Sequence, residues 1–111
     1  MKEYPILKYK LLSDKAKKPV RGTPGSSGLD VFTPTDVTIE PNCDVLIPLD
    51  ISFDIPFGWD LSVYNKSGVS TKNKLDKGAE LIDSDYTGNC HVHLFNHGST
   101  PVHFNAGDKI A

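Results

Sequence analysis

The sequence predicts an all-β fold, a sandwich, jelly roll or small barrel, and three observations predict it. Short segments rich in Val, Ile, Phe, Tyr and Thr recur along the chain. Eight prolines and nine glycines separate them at short intervals. No stretch of eleven residues keeps an apolar stripe at helical spacing. Short apolar segments with turn chemistry at both ends are strands, and many of them in a small chain build packed or closed sheets.

The elements follow in order. "YPILKYKLL" (4 to 12) alternates loosely and opens the fold. "LDVFTP" (29 to 34), "DVTIEP" (36 to 41) and "DVLIPLDISFDIP" (44 to 56) read as strands closed by Pro. "WDLSVYN" (59 to 65), "CHVHLFN" (90 to 96) and "PVHFNAG" (101 to 107) complete the set. The one helical candidate is "SGVSTKNKL" (67 to 75), of one or two turns at most. "KKPVRGTPGSSG" (17 to 28) is a loop within the domain, not a linker between folding units. The last residues, "GDKIA", start an apolar strand with nothing after it to pair, so the expectation is that the natural chain runs past Ala111.

Composition narrows the function classes. The 111 residues suggest one domain, 1–111, large enough to bury a core. The 12 basic and 14 acidic residues leave a net charge of −2, which gives no footprint for nucleic acid. The one basic cluster, "KYKLLSDKAKKPVR", is diluted by Asp14 and two leucines and reads as a solvated arm. Charges at Lys2, Glu3, Lys8 and Lys10 break up the start, and no apolar run is long enough to span a membrane. Cys43 and Cys90 form neither a CxxC nor a Cys/His metal spacing, and reduced thiols in an intracellular protein are the simplest reading.

Several stretches carry chemical groups. In "PGSSGLDVF" (24 to 32) two glycines permit close backbone approach before a strand that carries Asp30, and an ordinary loop has the same composition. In "NKSGVSTK" (65 to 72) Ser67 offers a hydroxyl and an N–H, Gly68 allows close approach and Lys66 adds positive charge. An anion site at a helix start requires those groups, although N-x-S-G is also a common turn. His91 and His93 share a strand face, but no third ligand stands at a recognisable spacing, and a polar strand face is the better reading. In "LIDSDYTG" (81 to 88) Asp83 and Asp85 would point the same way if the strand continued. A carboxylate fixed at a strand end can orient a water as general base, and Tyr86 offers a flat face to a ring or sugar. A turn in which Asp85 satisfies backbone N–H groups is the alternative.

The order and spacing of these stretches resemble the trimeric dUTPase family. "GSSGLDVF" resembles its first motif, "NKSGVSTK" its second, "GAELIDSDYTGNCHVHLFN" its third and "FNAGDKIA" the start of its fourth. The third is the most specific, and the likeness runs from about residue 25 to the end. The resemblance implies a distorted jelly-roll β-barrel subunit, a homotrimer with active sites shared between chains, and hydrolysis of dUTP to dUMP and pyrophosphate with Mg²⁺. It implies that Asp83 contacts the sugar 3′-hydroxyl and activates water. Tyr86 packs under deoxyribose and excludes a 2′-hydroxyl. Gly78, Leu81 and Ile82 belong to the pocket for the base. Lys66, Ser67 and Gly68 meet the phosphates, and Asp30 holds the metal through its water shell. An intracellular, cytoplasmic enzyme of cellular, viral or phage origin fits these expectations.

The departures from the family pattern are specific. Lys66 stands where arginine is usual, which keeps the charge but loses the bidentate fork. Glu80 stands where a glycine or small residue is common. The glutamine expected after Ala111 and the glycine-rich fifth motif are not among the 111 residues. Two other readings share the fold: a dCTP deaminase relative, for which Glu80 is the one acidic candidate in the hairpin, and a non-catalytic nucleotide sensor.

Overall fold

The computed structural model describes residues 6–65, 68, 73–78 and 81–111. Among them the regular elements are nine strands: β1 (Lys8–Leu11), β2 (Val37–Ile39), β3 (Asp44–Pro48), β4 (Ile51–Asp54), β5 (Leu61–Ser62), β6 (Leu75–Lys77), β7 (Leu81–Ile82), β8 (His91–Asn96) and β9 (Val102–Phe104). All pair antiparallel, β1 with β4, β2 with β9, β5 with β7, and β8 between β3 and β6. The all-β class is therefore observed.

β8 is the centre of the arrangement. Its six residues alternate, with Val92, Leu94 and Asn96 buried and His91, His93 and Phe95 on the outer face. Val92 and Leu94 meet Ile47, Ile51 and Leu75 in one apolar cluster, closed by Ile39, Phe104 and Ile110. Each buried aliphatic side chain of this size contributes about 1.5–3 kcal/mol relative to leaving it in water. Asn96 is wholly buried yet satisfied: its Nδ2 donates to the carbonyls of Ile39 and Thr100, each at 2.9 Å, and its Oδ1 accepts from Gly98 N at 2.8 Å. The cluster includes Cys90, whose thiol burial pushes up in pKa; Cys43 is exposed, and both are free.

Two sequence expectations are corrected. The segment 44–56 is not one strand. Asp50 adopts a left-handed φ of 56°, and the chain turns there from pairing with β8 to pairing with β1. Asp tolerates that conformation better than most residues, so the break is cheap. β6 was not foreseen. Leu75, the last residue of the helical candidate 67–75, lies in this strand opposite Asn96; of the rest, Gly68 and Asn73 are helical, and 67 and 69–72 lie outside the described residues.

The first and fourth motif stretches form one seam. Val31 N donates to Ala111 O and Ile110 N to Val31 O, both at 3.0 Å, and Phe32 bridges Lys109. Val20 and Asp30 exchange backbone bonds of 3.1 and 2.7 Å, which fastens the 17–28 loop to the same seam.

Candidate functional site

The seam opens onto a cavity of about 650 Å³. Leu49, Phe53, Val92 and Leu61 make its apolar floor, and Arg21, Ser26, Asp30, Tyr64 and Asn65 supply polar groups around it. That combination, an apolar cleft with a few converging polar groups, is the usual form of a small-molecule site.

Asp30 is placed on the wall by its backbone pairing with Val20. Its side chain is 13% exposed and its Oδ2 lies 3.4 Å from Lys109 Nζ, so the first and fourth motif stretches meet through an ion pair as well as through backbone. Arg21 reaches across the loop and donates to Ser26 O. Sequence reading passed over Arg21, Tyr64 and Lys109. The only signal was their closeness to the glycine-rich loop and to "NKSG".

β7 supplies the opposite wall. It pairs with β5, Leu61 against Ile82 and Ser62 against Leu81. Successive strand residues face opposite sides. Ile82 accordingly lines the cavity and packs on the core, whereas Leu81 is 60% exposed and does not line it. The strand ends at Ile82. Tyr86 N donates to Asp83 O at 3.1 Å, so 83–86 is a turn and not a strand extension. The expectation that Asp83 and Asp85 project from one strand face is corrected on that ground; both are exposed.

Tyr86 is fixed by its far end. Its hydroxyl donates to Asn89 O at 2.7 Å, and a Cβ on Gly88 would stand 2.9 Å from the Tyr86 hydroxyl oxygen. Glycine at 88 is what lets the ring fold back over the turn. Asn89 in turn donates from Nδ2 to Asp50 Oδ1 at 3.0 Å, and Ser13 Oγ donates to Asp50 Oδ2 at 3.0 Å. The loop that carries Asp83 and Tyr86 is thereby tied to the β3–β4 junction and to the end of β1.

The structure does not gather every expected residue around the cavity. Asp30 and Ile82 line it, with Asn65 at the edge of the second motif stretch, held by Asp76 Oδ1 at 3.0 Å. Gly78, Leu81, Asp83 and Tyr86 do not line it. Gly68 is exposed, with nothing within 4 Å of where a Cβ would stand. Lys66, Ser67 and Glu80 lie outside the described residues.

Among the described residues there is no group of three or more His, Cys, Asp or Glu that could enclose a metal ion. His91 and His93 share a face, as expected, and His93 is engaged by Asp44. The carboxylate of Asp30, facing the cavity but already beside Lys109, suits a magnesium ion that takes its other oxygens from phosphates and water.

Comparisons with known proteins give the family of the chain. The family model described as dUTPase matches residues 14–111. The deoxyuridine 5′-triphosphate nucleotidohydrolase of Arabidopsis thaliana is 39% identical over 107 residues, covering 96% of this chain and 64% of that protein. The chain thus spans just under two thirds of that relative's length. A mutant of the dUTPase of Staphylococcus aureus phage phi11, described for its coordination of a structural Mg(II) ion, superposes with a TM-score of 0.89 at 26% identity and covers 96% of this chain and 87% of its own. A Staphylococcus phage 80alpha dUTPase variant solved with dUpNHpp gives 0.90 at 25% identity, covering 97% and 80%.

Proposed function

We propose, from the fact that this chain belongs to the dUTPase family, that the protein is a dUTP diphosphatase, releasing dUMP and pyrophosphate. The observation that carries the reading is the 81–86 arm. One strand residue, Ile82, faces the cavity, and the next residue, Asp83, opens a turn whose tyrosine is pinned by Asn89.

In the proposed reaction a water oxygen bonds to the α-phosphorus, and the bond from that phosphorus to the oxygen bridging to the β-phosphorus breaks. Asp83 accepts the water proton and pyrophosphate leaves. Positioning and charge neutralisation supply most of the acceleration in such transfers. Tyr86 supports the deoxyribose ring. Gly78 and Ile82, with Leu81, form the arm that meets the base, and Lys66, Ser67 and Gly68 bind the phosphates. Magnesium, when bound, neutralises charge on the triphosphate, and Asp30 would hold it through its water shell.

The site is completed between subunits in this reading. Asp83 and Tyr86 stand outside the cavity that Asp30 lines, which suits a homotrimer in which the arm of one chain serves the phosphate side of another. An intracellular, cytoplasmic enzyme acting on free nucleotide, without nucleic-acid or membrane partners, follows from the substrate; among the described residues no helix is long and apolar enough to cross a membrane.

The test is pyrophosphate release from dUTP with Mg²⁺, with dCTP, dTTP and UTP alongside. Release from dUTP alone supports the reading. Ammonia release from dCTP would replace it with a deaminase, and binding of dUTP without turnover would replace it with a nucleotide sensor.

A further inference from the structure

We propose that His93 is a positioning residue that sets where Gly78 sits, four positions before Ile82, so that Gly78 is glycine because of this histidine. The proposal rests on the reading that the arm belongs to a nucleotide site.

Gly78 follows β6 and continues its pairing: its N–H donates to His93 O at 2.8 Å. A Cβ built on Gly78 would lie 2.7 Å from His93 Cγ and nearer still to Nδ1. The imidazole therefore occupies the room that any other residue at 78 would need. Backbone conformation does not explain the glycine, because the described glycines with positive φ are Gly58 and Gly107.

The ring cannot swing aside freely. On its far side Nε2 lies 2.6 Å from Asp44 Oδ2 across the β3–β8 pair. Asp44, the imidazole and the Gly78 backbone thus follow one another across the outer face of the sheet. Four positions after Gly78 stands Ile82 in the cavity wall, followed by Asp83. A side chain on Gly78 would meet a ring held from its other side by Asp44, so the ring or the Gly78 backbone must give.

The experiment is a reciprocal rescue with Gly78→Ala, His93→Ala and the double variant. Gly78→Ala is expected to raise KM for dUTP by about tenfold or more with kcat changed by less than about threefold, and the double variant to return KM to within about threefold of His93→Ala alone. A role in stability alone would lower the unfolding midpoint and leave KM in place, which would overturn the proposal. So would a double variant no better than Gly78→Ala. Amide hydrogen exchange at position 78 gives a readout independent of turnover. It is expected to quicken in both single variants and to slow again in the double. If the wild-type protein does not hydrolyse dUTP, the enzymatic reading has failed, and the exchange pattern still decides whether His93 sets where Gly78 sits. Unchanged exchange in His93→Ala would sink the role of the ring even if Gly78→Ala does not fold.

Discussion

Asp50 and Asn89, 39 positions apart, are joined by a 3.0 Å hydrogen bond from Asn89 Nδ2 to Asp50 Oδ1. The bond couples the place where the chain changes sheets to the loop that carries the candidate base. Asp50 supports both ends of the link: its left-handed φ makes the break between β3 and β4, and its other oxygen accepts from Ser13 Oγ. Asn89 Oδ1 is buried with no partner, so Asn89 holds its place through its donor side and through the carbonyl that Tyr86 reaches.

Replacing Asp50 with alanine removes two acceptors and puts a less tolerant residue at a left-handed φ. The expected loss is about 2–3 kcal/mol of stability, since each half-buried bond to a carboxylate contributes about 1.5 kcal/mol or more. Asp50→Asn keeps one acceptor and the conformational tolerance, and is expected to lose less. Urea unfolding of both variants checks the order; equal losses would show that neither the retained acceptor nor the tolerance of the left-handed φ contributes.

Acid stability follows from the outer face of the β3–β8–β6 sheet. The hydrogen bond from His93 holds the Asp44 carboxyl below its ordinary value of 3.8. Asp76 is likewise held low, first by the bond from Asn65. A carboxyl with a depressed folded pKa binds its proton less readily folded than unfolded. Its stabilisation is therefore present above 3.8 and is lost as pH falls through the lower folded value. The urea midpoint of the wild type is expected to fall more steeply below about pH 4 than that of Asp44→Asn. Parallel curves for the two proteins would remove the His93 contact as the cause. Both groups are solvent-exposed, so the difference is expected to be small.

Alternation made most of the fold legible. β8 reads directly from "HVHLFN", because its buried residues are Val92, Leu94 and Asn96 and its partly exposed ones are the histidines and Phe95. The break at Asp50 was not legible, because "IPLDISF" keeps alternating through the turn and only the backbone dihedral changes. β6 was hidden for a different reason. "LDK" has one apolar residue and is a strand because β8 offers it an edge. At the site, Asp30 and Ile82 were readable from their motifs, since short segments of chain fix them. Arg21 was not, because its neighbours in a loop without periodicity said nothing of the cavity. Gly78 was named only through the resemblance, and the crowding at its position was not legible, because the ring that causes it belongs to His93, 15 residues away.

Tyr86 gives a prediction about sugar selectivity. The hydroxyl is anchored on Asn89 O and the ring lies over Gly88, so the ring is a fixed surface and not a mobile side chain. In the proposed site such a surface would lie under the deoxyribose and leave no room for a 2′-hydroxyl. Tyr86→Ala is expected to raise kcat/KM for UTP relative to dUTP by about tenfold or more, the scale of discrimination that one steric contact supplies. Tyr86→Phe keeps the ring and is expected to keep most of the selectivity. Competition assays with both nucleotides decide it, and an unchanged ratio in Tyr86→Ala would assign the discrimination elsewhere.

Asp83 carries the sharpest prediction. Its carbonyl is held by Tyr86 N at 3.1 Å, so the residue sits at a fixed turn position while its carboxylate stays exposed to solvent and to water brought in with substrate. Asparagine has nearly the same shape and keeps the turn, but it cannot accept a proton from water. A general base of this kind contributes about 10²–10⁴-fold, so Asp83→Asn is expected to lose that much in kcat. Binding of dUpNHpp is expected to stay within about threefold, because asparagine leaves the 83–86 turn in place. Calorimetry with dUpNHpp and single-turnover hydrolysis of dUTP separate the two quantities. Full turnover in Asp83→Asn would remove this residue as the base and make its neighbour Asp85 the next carboxylate to substitute. Loss of binding together with turnover would instead make Asp83 a ligand for the sugar first, with the proton accepted by another group.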